Sequence, residues 1–331
     1  MNDVLLVIVI AVALGFDFTN GFHDTANAVA TSVSTRAVSP RLAVAIASVA
    51  NLAGAFVTVA VAKTISKGII DGHLATMQTV LAALIGAIAW NLFTWWLGLP
   101  SSSSHALIGG LVGSALVQSG TKGVLWHGLV HKVAIPALVA PLIAFAAAFG
   151  LLLVIYWVFL WLNPGVANRG FRLGQLGTGT WVAFTHGAND AQKTMGVIAL
   201  ALVLHRHGSI DDLTIPTWVK WSAGLAIALG TYVGGWRIMR TLGQRIFQME
   251  PESGFAAQAS AGATIYLATR YGYPLSTTHV VSGAVMGAGA TKRLSAVRWG
   301  VAGNIVFAWI LTIPAAGLVA ALFYWPVQGL F

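Results

Sequence analysis

The stretch LVAPLIAFAAAFGLLLVIYWVFLWL, residues 138–162, contains no charged side chain. A helix that crosses the hydrocarbon core of a bilayer needs about 20 mainly apolar residues, so this run is long enough. A strand of a transmembrane barrel would instead show about ten residues of alternating polarity. The stretch therefore predicts a membrane-spanning α-helix.

Similar apolar runs recur along nearly the whole chain of 331 residues. Only 8% of the residues are charged, against roughly a quarter in soluble proteins, and the mean hydropathy is +0.80. We predict an all-α polytopic membrane protein with about 10–12 membrane segments, placed in the cell membrane of a bacterium, that is, the inner membrane. The first run lacks the basic region and cleavage site of a signal peptide, so we interpret it as the first span. The runs are 4–16, 41–62, 75–97, 133–162, 175–184, 187–204, 217–236, 255–269 and 296–325.

The positions of the charged residues indicate which kinds of partner the protein can have. The net charge is +9, yet the basic residues lie singly or in pairs at the ends of apolar runs, as in cytoplasmic loops and lipid headgroup contacts. We expect membrane lipids and no nucleic acid as partners. The absence of cysteine excludes disulfides and thiolate metal sites.

The sequence contains an internal repeat. FTNGFHD at 18–24 aligns with FTHGAND at 184–190, and GLPSSSSHALIGGLVGSAL at 98–116 aligns with GYPLSTTHVVSGAVMGAGA at 272–290. Duplicated membrane units are typical of secondary transporters, whose sites lie near mid-membrane at the repeat interface. The positions of lysine and arginine leave parallel and inverted repeats open. The predicted divisions are a first transmembrane repeat at 1–162, a connecting loop at 163–174 and a second repeat at 175–331.

Three of the nine acidic residues lie neither at a terminus nor in a predicted loop: Asp17, Asp24 and Asp190. A carboxylate at the centre of a membrane helix costs about 2.5–3.5 kcal/mol on insertion scales, so each needs a partner, a cavity or a proton. We favour a functional role for Asp24 and Asp190. For Asp17, function and structural pairing are equally open. The remaining acids lie at a terminus or in loops: Asp3, Asp71, Asp211, Asp212, Glu250 and Glu252.

Polar residues around Asp24 and Asp190 recur at helical spacing. Asn20, Asp24 and Asn27 stand at i, i+4 and i+7, with His23 adjoining, so they share one face of a helix. The second copy has the same pattern. Its members are His186, Asn189, Asp190 and Lys193.

Two segments combine proline, hydroxyls and a short glycine-rich run. Pro100 precedes Ser101–Ser104, and Pro274 precedes Ser276, Thr277 and Thr278. Proline and hydroxyls mark a helix N-terminus, whose free N–H groups and positive dipole end attract anions. We predict two re-entrant half-helices that meet near mid-membrane; ordinary capping is the alternative. For the histidines that follow, His105 and His279, packing and a proton-handling or ligand role are equally open.

These motifs resemble the PiT family of inorganic phosphate transporters, specifically its bacterial low-affinity branch. NGFHDTANAVAT (20–31) and HGANDAQK (186–193) are similar to the family's signature copies, and the serine-threonine segments to its paired substrate loops. The resemblance implies inverted repeats, a mid-membrane phosphate site and coupling to a cation gradient. It assigns phosphate binding to Asp24, Asn27, Ser102, Ser103, Ser104, Asn189, Asp190, Lys193, Ser276, Thr277 and Thr278. The residues assigned to the coupled cation are Asp24, Asp190, Asn20 and His23.

Two positions at which this chain differs from sodium-coupled members of the family bear on the identity of the coupled ion. Sodium-coupled eukaryotic members of the family have glutamates where this chain has Asn51 and Gln258. The bacterial proton-coupled branch is similar to this chain at both positions. Proton coupling is therefore favoured, with sodium left open.

The resulting hypothesis is a symporter that imports inorganic phosphate, free or as a metal complex, by alternating access, with no cofactor. The alternatives are a sulfate permease of the same family, an anion channel and an intramembrane enzyme. We expect no enzyme, because Ser104 and His105 are neighbours on a helix and cannot face each other as nucleophile and base. The sequence leaves a monomer and a homodimer open.

Overall fold

The computed structural model describes residues 2–210 and 213–331; the predicted loop acids Asp211 and Asp212 lie outside this part. The described residues form α-helices joined by short turns and contain no β-strand, as expected for the predicted all-α membrane fold. The helices are α1 (Asn2–Ser34), α2 (Pro40–Gly54), α3 (Ala60–Gly68), α4 (Met77–Leu97), α5 (Ser103–Ser119), α6 (Trp126–Gly128), α7 (Ile135–Val158), α8 (Pro164–His205), α9 (Thr217–Val233), α10 (Trp236–Arg240), α11 (Pro251–Arg270), α12 (Thr277–Lys292) and α13 (Trp299–Leu330).

Several helices are long and apolar enough to cross a membrane. They include α1, α4, α13 and the continuous stretch Trp126–Val158, which has a mean hydropathy of 2.7. That stretch contains most of residues 138–162, so the spanning helix predicted there is confirmed. Its outer surface is apolar: Trp157, for example, exposes 79% of its surface. Such exposure fits contact with lipid.

The second motif lies on one unbroken helix. α8 has 42 residues and joins the apolar runs 175–184 and 187–204, which the sequence presents separately. The segment 163–174 is predicted as a connecting loop, but all of it after Asn163 is helical and forms the start of α8. The side chain of Asn163 accepts a hydrogen bond from Gly165 N at 2.9 Å, and Pro164 stands at the first helical position. Both features favour a helix start, so the link is shorter than expected.

The half-helix α5 packs closely against α13. A Cβ added at Gly109 or Gly113 would collide with the backbone of Ile313 or Gly317, so only glycine allows this approach. α5 has 17 residues and spans about 26 Å, less than the hydrocarbon thickness. Its N-terminal residues are buried, and so the helix begins inside the protein.

The half-helix α12 makes the matching contact with α7. Gly283 and Gly287 align with Gly109 and Gly113 in the repeated motif, and a Cβ at either would meet the backbone of Pro141 or Phe145. The first half-helix thus packs on the last long helix, and the second packs on the long helix before the midpoint.

The motif helices α1 and α8 pack against each other at the centre. α1 also packs on α9, where Gly21 approaches the backbone of Thr231, and α8 packs on α2, where Gly187 approaches the backbone of Asn51. This arrangement brings the polar stretches of α1 and α8 into one buried region. The assignment of 1–162 and 175–331 as two repeats, and their inverted orientation, stay predictions.

Candidate functional site

Asp24 of α1 meets the first turn of α5. Ser103 Oγ lies 2.8 Å from Asp24 Oδ2 and 2.7 Å from Asn20 Oδ1, so its one hydroxyl proton can be donated to either acceptor. On its other side, Asp24 Oδ1 lies 2.6 Å from His23 Nδ1. Asp24 therefore has a donor at each oxygen, which stabilises a buried carboxylate.

His23 extends this network towards α4. Its Nε2 lies 3.1 Å from Thr94 Oγ1 and 3.3 Å from Ser101 Oγ, and these hydroxyls are 2.8 Å apart. Asn20, His23 and Asp24, all predicted to handle the coupled cation, are therefore in one hydrogen-bonded group at the start of α5.

Asn27 connects α1 to the second half-helix. Its Nδ2 donates to Thr278 Oγ1 at 2.9 Å and to Thr277 Oγ1 at 3.3 Å, at the first turn of α12. Thr278 Oγ1 in turn lies 3.5 Å from Asp24 Oδ1. The stripe predicted on α1 thus contacts both half-helix N-termini, because its members share one helix face.

Lys193 connects α8 to the half-helix N-termini, as Asn27 connects α1. Its ammonium donates to Asp190 Oδ1 at 2.6 Å, to the Leu275 carbonyl at 2.9 Å and to the hydroxyl of Ser104. Ser104 itself donates to the Leu275 carbonyl at 3.0 Å. A lysine ammonium has three N–H donors, so all of them are used within the protein.

The side chain of Asn189 forms its hydrogen bonds outside the half-helices α5 and α12. Its Nδ2 donates to Thr269 Oγ1 at 2.8 Å and to the Tyr273 carbonyl at 3.1 Å, both near the end of α11. Its side-chain oxygen is buried and has no hydrogen-bond partner.

Ser102 and Ser276 cap their own helices. Ser102 Oγ accepts from His105 N at 3.1 Å, and Ser276 Oγ accepts from His279 N at 3.2 Å. The capping alternative therefore describes one hydroxyl of each segment, whereas Ser103, Ser104, Thr277 and Thr278 contact the motif helices. The histidines after these caps meet each other, with ring centroids 4.7 Å apart, and His279 stacks on Trp309 at 4.0 Å.

His186 joins the two aspartates and is absent from the predicted site list. Its Nδ1 lies 2.9 Å from Asn51 Oδ1, while Asn51 Nδ2 donates to Thr231 Oγ1 at 2.8 Å, so the amide oxygen accepts from the ring. The other ring nitrogen, Nε2, lies 3.4 Å from Asp190 Oδ2 and 4.0 Å from Asp24 Oδ2. The available signal was its place one turn before Asp190 on the polar stripe.

Asp24, His186 and Asp190 could hold a cation. They offer one ligand atom each, and those atoms lie within 4.8 Å of one another. His186 Nε2 and Asp190 Oδ2 are buried without a hydrogen-bond partner. Because Nδ1 carries the proton towards Asn51, a neutral His186 presents a lone pair to two carboxylates. A proton on Nε2 or a bound cation would relieve that conflict.

The site is closed to solvent on all sides. Every residue assigned to phosphate or to the coupled cation exposes 2% or less of its surface. The N-terminal N–H groups of α5 and α12, the two motif aspartates and Lys193 therefore converge in a dry interior, where charge interactions are strong.

A family model described as "Phosphate transporter family" matches residues 20–320. The chain belongs to the phosphate transporter family. Relatives named "Probable low-affinity inorganic phosphate transporter" occur in Mycobacterium tuberculosis, 52% identical over 97% of this chain and 77% of the relative, and in Bacillus subtilis, 42% identical over 99% and 100%. The resemblance inferred from the motifs is thus confirmed.

A solved structure also matches this member of the phosphate transporter family. The chain is similar to a protein titled "The sodium-dependent phosphate transporter", with a TM-score of 0.92, 27% sequence identity and coverage of 99% and 100% of the two chains. Family membership and the apolar helices identify a multi-pass protein of the cell membrane and indicate transport rather than catalysis. The comparisons give the sulfate alternative no support.

Proposed function

We propose that the chain imports inorganic phosphate by proton-driven symport, with alternating access about the site between α1, α8, α5 and α12. The observation that carries this proposal is the convergence of two half-helix N-termini on two buried aspartates, Asp24 and Asp190. The first N–H groups of a helix have no partner within it, and the helix dipole favours an anion there. These N–H groups would hold the phosphate oxygens.

The aspartates explain a preference for hydrogen phosphate. A P–OH group can donate to a carboxylate or an amide oxygen, and Asp190 Oδ2, Asn27 Oδ1 and Asn189 Oδ1 are buried without a donor. An anion without a proton would leave such acceptors unpaired, and an unpaired buried polar group costs about 1–3 kcal/mol. Selectivity then comes from the proton on the substrate.

The charges of the site support obligatory coupling. Two carboxylates, Asp24 and Asp190, face one lysine, Lys193, so the group is net negative when the histidines are neutral. Bringing a phosphate anion into it without a cation is unfavourable, because uncompensated buried charge is costly. A proton taken up by the buried acids of α1 and α8 supplies the missing charge in this proposal; sodium, or a divalent metal that travels with phosphate, is the alternative source of that charge.

The test uses purified protein in liposomes with labelled phosphate outside and either a pH gradient or a sodium gradient imposed. We expect accumulation under the pH gradient. Asp24→Asn and Asp190→Asn should each abolish it. Asp71→Asn is the matched control, because Asp71 lies in a loop, where its carboxylate accepts a hydrogen bond from the nearby His73 N. This variant should transport like the wild type.

Full uptake by both motif variants would contradict the proposed roles of the aspartates. Accumulation under the sodium gradient alone would replace the proton by sodium. Conductance without accumulation would instead identify an anion channel.

A further inference from the structure

Asp17 is a buried acid that the phosphate site does not use. It lies on α1 seven residues before Asp24, about two turns away on the same helix face, and none of its surface is exposed. Among the described residues, no donor meets strict hydrogen-bond geometry at either of its carboxyl oxygens. The Thr194 hydroxyl and the Asn20 amide lie beside it. Both the Thr194 hydroxyl and the Asn20 amide nitrogen also lack a partner.

This environment differs from that of the two motif aspartates. Asp24 receives Ser103 Oγ at 2.8 Å on one oxygen and lies 2.6 Å from His23 Nδ1 on the other. Asp190 receives the Lys193 ammonium at 2.6 Å. Donors aimed at a carboxylate stabilise its charge, and each motif aspartate has a close one. The groups beside Asp17 are instead the neutral Thr194 hydroxyl and Asn20 amide, which stabilise a carboxylate less than an ammonium does.

The charges around Asp17 do not compensate for its burial. Among the described residues, Asp190 and Lys193 of α8 are charged groups that act on it. The ammonium of Lys193 is already bound to Asp190, Ser104 and Leu275, so the nearest cation is committed elsewhere. Asp190 adds repulsion between like charges.

Two other helices packed on α1, α4 and α9, bring no counter-charge near Asp17. α4 contains no ionisable side chain. The ionisable residues of α9, Lys220 and Tyr232, lie at the two ends of that helix. An ionised carboxylate without a counter-charge in a dry interior costs several kcal/mol, so the neutral acid is the form that fits this closed conformation.

We propose that Asp17 carries the coupled proton, at a site separate from the groups that bind phosphate. This inference rests on the proposed proton-driven phosphate transport. Asp17 takes a proton from the outside solution while the site is open to it, because water then reaches the carboxylate. It keeps that proton while the site is closed. When the site opens to the cytoplasm, hydration restores the carboxylate and the proton leaves, so each cycle moves one proton with the phosphate.

The experiment separates phosphate movement from proton coupling. Asp17→Asn in proteoliposomes is measured by exchange of labelled against unlabelled phosphate without any gradient, and by accumulation under an imposed pH gradient. We expect exchange close to the wild-type rate, since an amide resembles the protonated acid. Accumulation under the pH gradient should be lost. Asp17→Ser, a second neutral variant, serves the same test if the asparagine variant does not insert.

Two comparisons keep this inference distinct from the proposed function. The wild type must accumulate phosphate under the pH gradient, and Asp24→Asn must lose exchange as well as accumulation; failure of either contradicts the proposed function. Asp17→Glu retains a titratable carboxyl and should retain accumulation. Accumulation by Asp17→Asn, or loss of exchange in folded Asp17→Asn, would overturn the role of Asp17 in carrying the proton.

Discussion

Lys193 of α8 and Ser104 of α5 are hydrogen-bonded, although 89 positions separate them in the chain. The same ammonium donates to the Leu275 carbonyl at 2.9 Å, just before α12, and to Asp190 Oδ1 at 2.6 Å. One side chain therefore links a motif helix to the N-termini of both half-helices. An alternating-access movement that separates α8 from either half-helix must break one of these bonds.

Replacing Lys193 by methionine should abolish phosphate uptake and destabilise the protein. The substitution keeps the length of the side chain but leaves Asp190 as an uncompensated buried charge, which costs about 3–5 kcal/mol. Uptake in proteoliposomes and unfolding in detergent measure the two effects. Lys63→Met, at an exposed lysine, is the control and should change neither.

The double variant Lys193→Met/Asp190→Asn separates stability from transport. Removing the unpaired charge should restore most of the free energy of unfolding, while uptake stays abolished because both charges are gone. Recovery of uptake in the double variant would show that Lys193 serves only to neutralise Asp190.

The polar face of α1 could be predicted from the sequence because it depends on local periodicity. Asn20, Asp24 and Asn27 recur at i, i+4 and i+7, and any helix brings such residues to one face. The half-helix starts were predictable for the same reason, since proline and hydroxyls before a glycine-rich run are a local signal. These features need no knowledge of the neighbouring helices.

The contacts between helices could not be predicted in this way. His186 and Asn51 are 135 positions apart, and their hydrogen bond depends on how α8 packs on α2. Neighbouring serines at the start of α5 have different contacts, because side chains one position apart point in different directions from the helix. Ser102 faces its own helix as the cap, whereas Ser103, one position on, contacts Asp24.

Ser103→Ala should weaken phosphate transport through Asp24. Its hydroxyl is a donor to Asp24 Oδ2, and a hydrogen bond to a charged group contributes about 1.5–3 kcal/mol, equivalent to a tenfold or greater loss in kcat/KM. Initial uptake rates over a range of phosphate concentrations measure it.

Ser114→Ala is the matched control on the same helix. Ser114 is equally buried, but its hydroxyl donates to the Gly110 carbonyl of its own helix at 2.9 Å. Uptake should stay near the wild-type rate. Equal losses in the two variants would indicate that the effect comes from the packing of α5 and not from Asp24.

Gly287→Ala should destabilise the contact between α12 and α7. The added methyl would collide with the backbone at Phe145, and overpacking of this kind typically costs about 1–3 kcal/mol. Gly150→Ala, on α7 itself, has nothing within 4 Å of the new methyl and should be neutral or stabilising, because alanine is the better helix former. Thermal unfolding in detergent compares them; an unchanged midpoint for Gly287→Ala would contradict the close packing.

Asn51→Ala should reduce transport by releasing His186. The Asn51 side-chain oxygen accepts from His186 Nδ1 at 2.9 Å and so directs Nε2 at Asp190 and Asp24. Loss of one such bond costs about 0.5–1.5 kcal/mol, or up to about tenfold in kcat/KM. His186→Ala should cost more, because the two carboxylates are then left facing each other without the ring between them.

If Asn51 acts through His186, their effects cannot add. The double variant Asn51→Ala/His186→Ala should transport phosphate as poorly as His186→Ala alone, since the bond is already absent once the ring is removed. Asn91→Ala is the matched control. Asn91, on α4, is equally buried, but its amide lies 3.5 Å from Thr19 Oγ1 and not beside His186. The loss of transport in Asn91→Ala should add to the loss in His186→Ala. Additive losses for Asn51 and His186 would mean that Asn51 influences transport by a route other than the orientation of the imidazole.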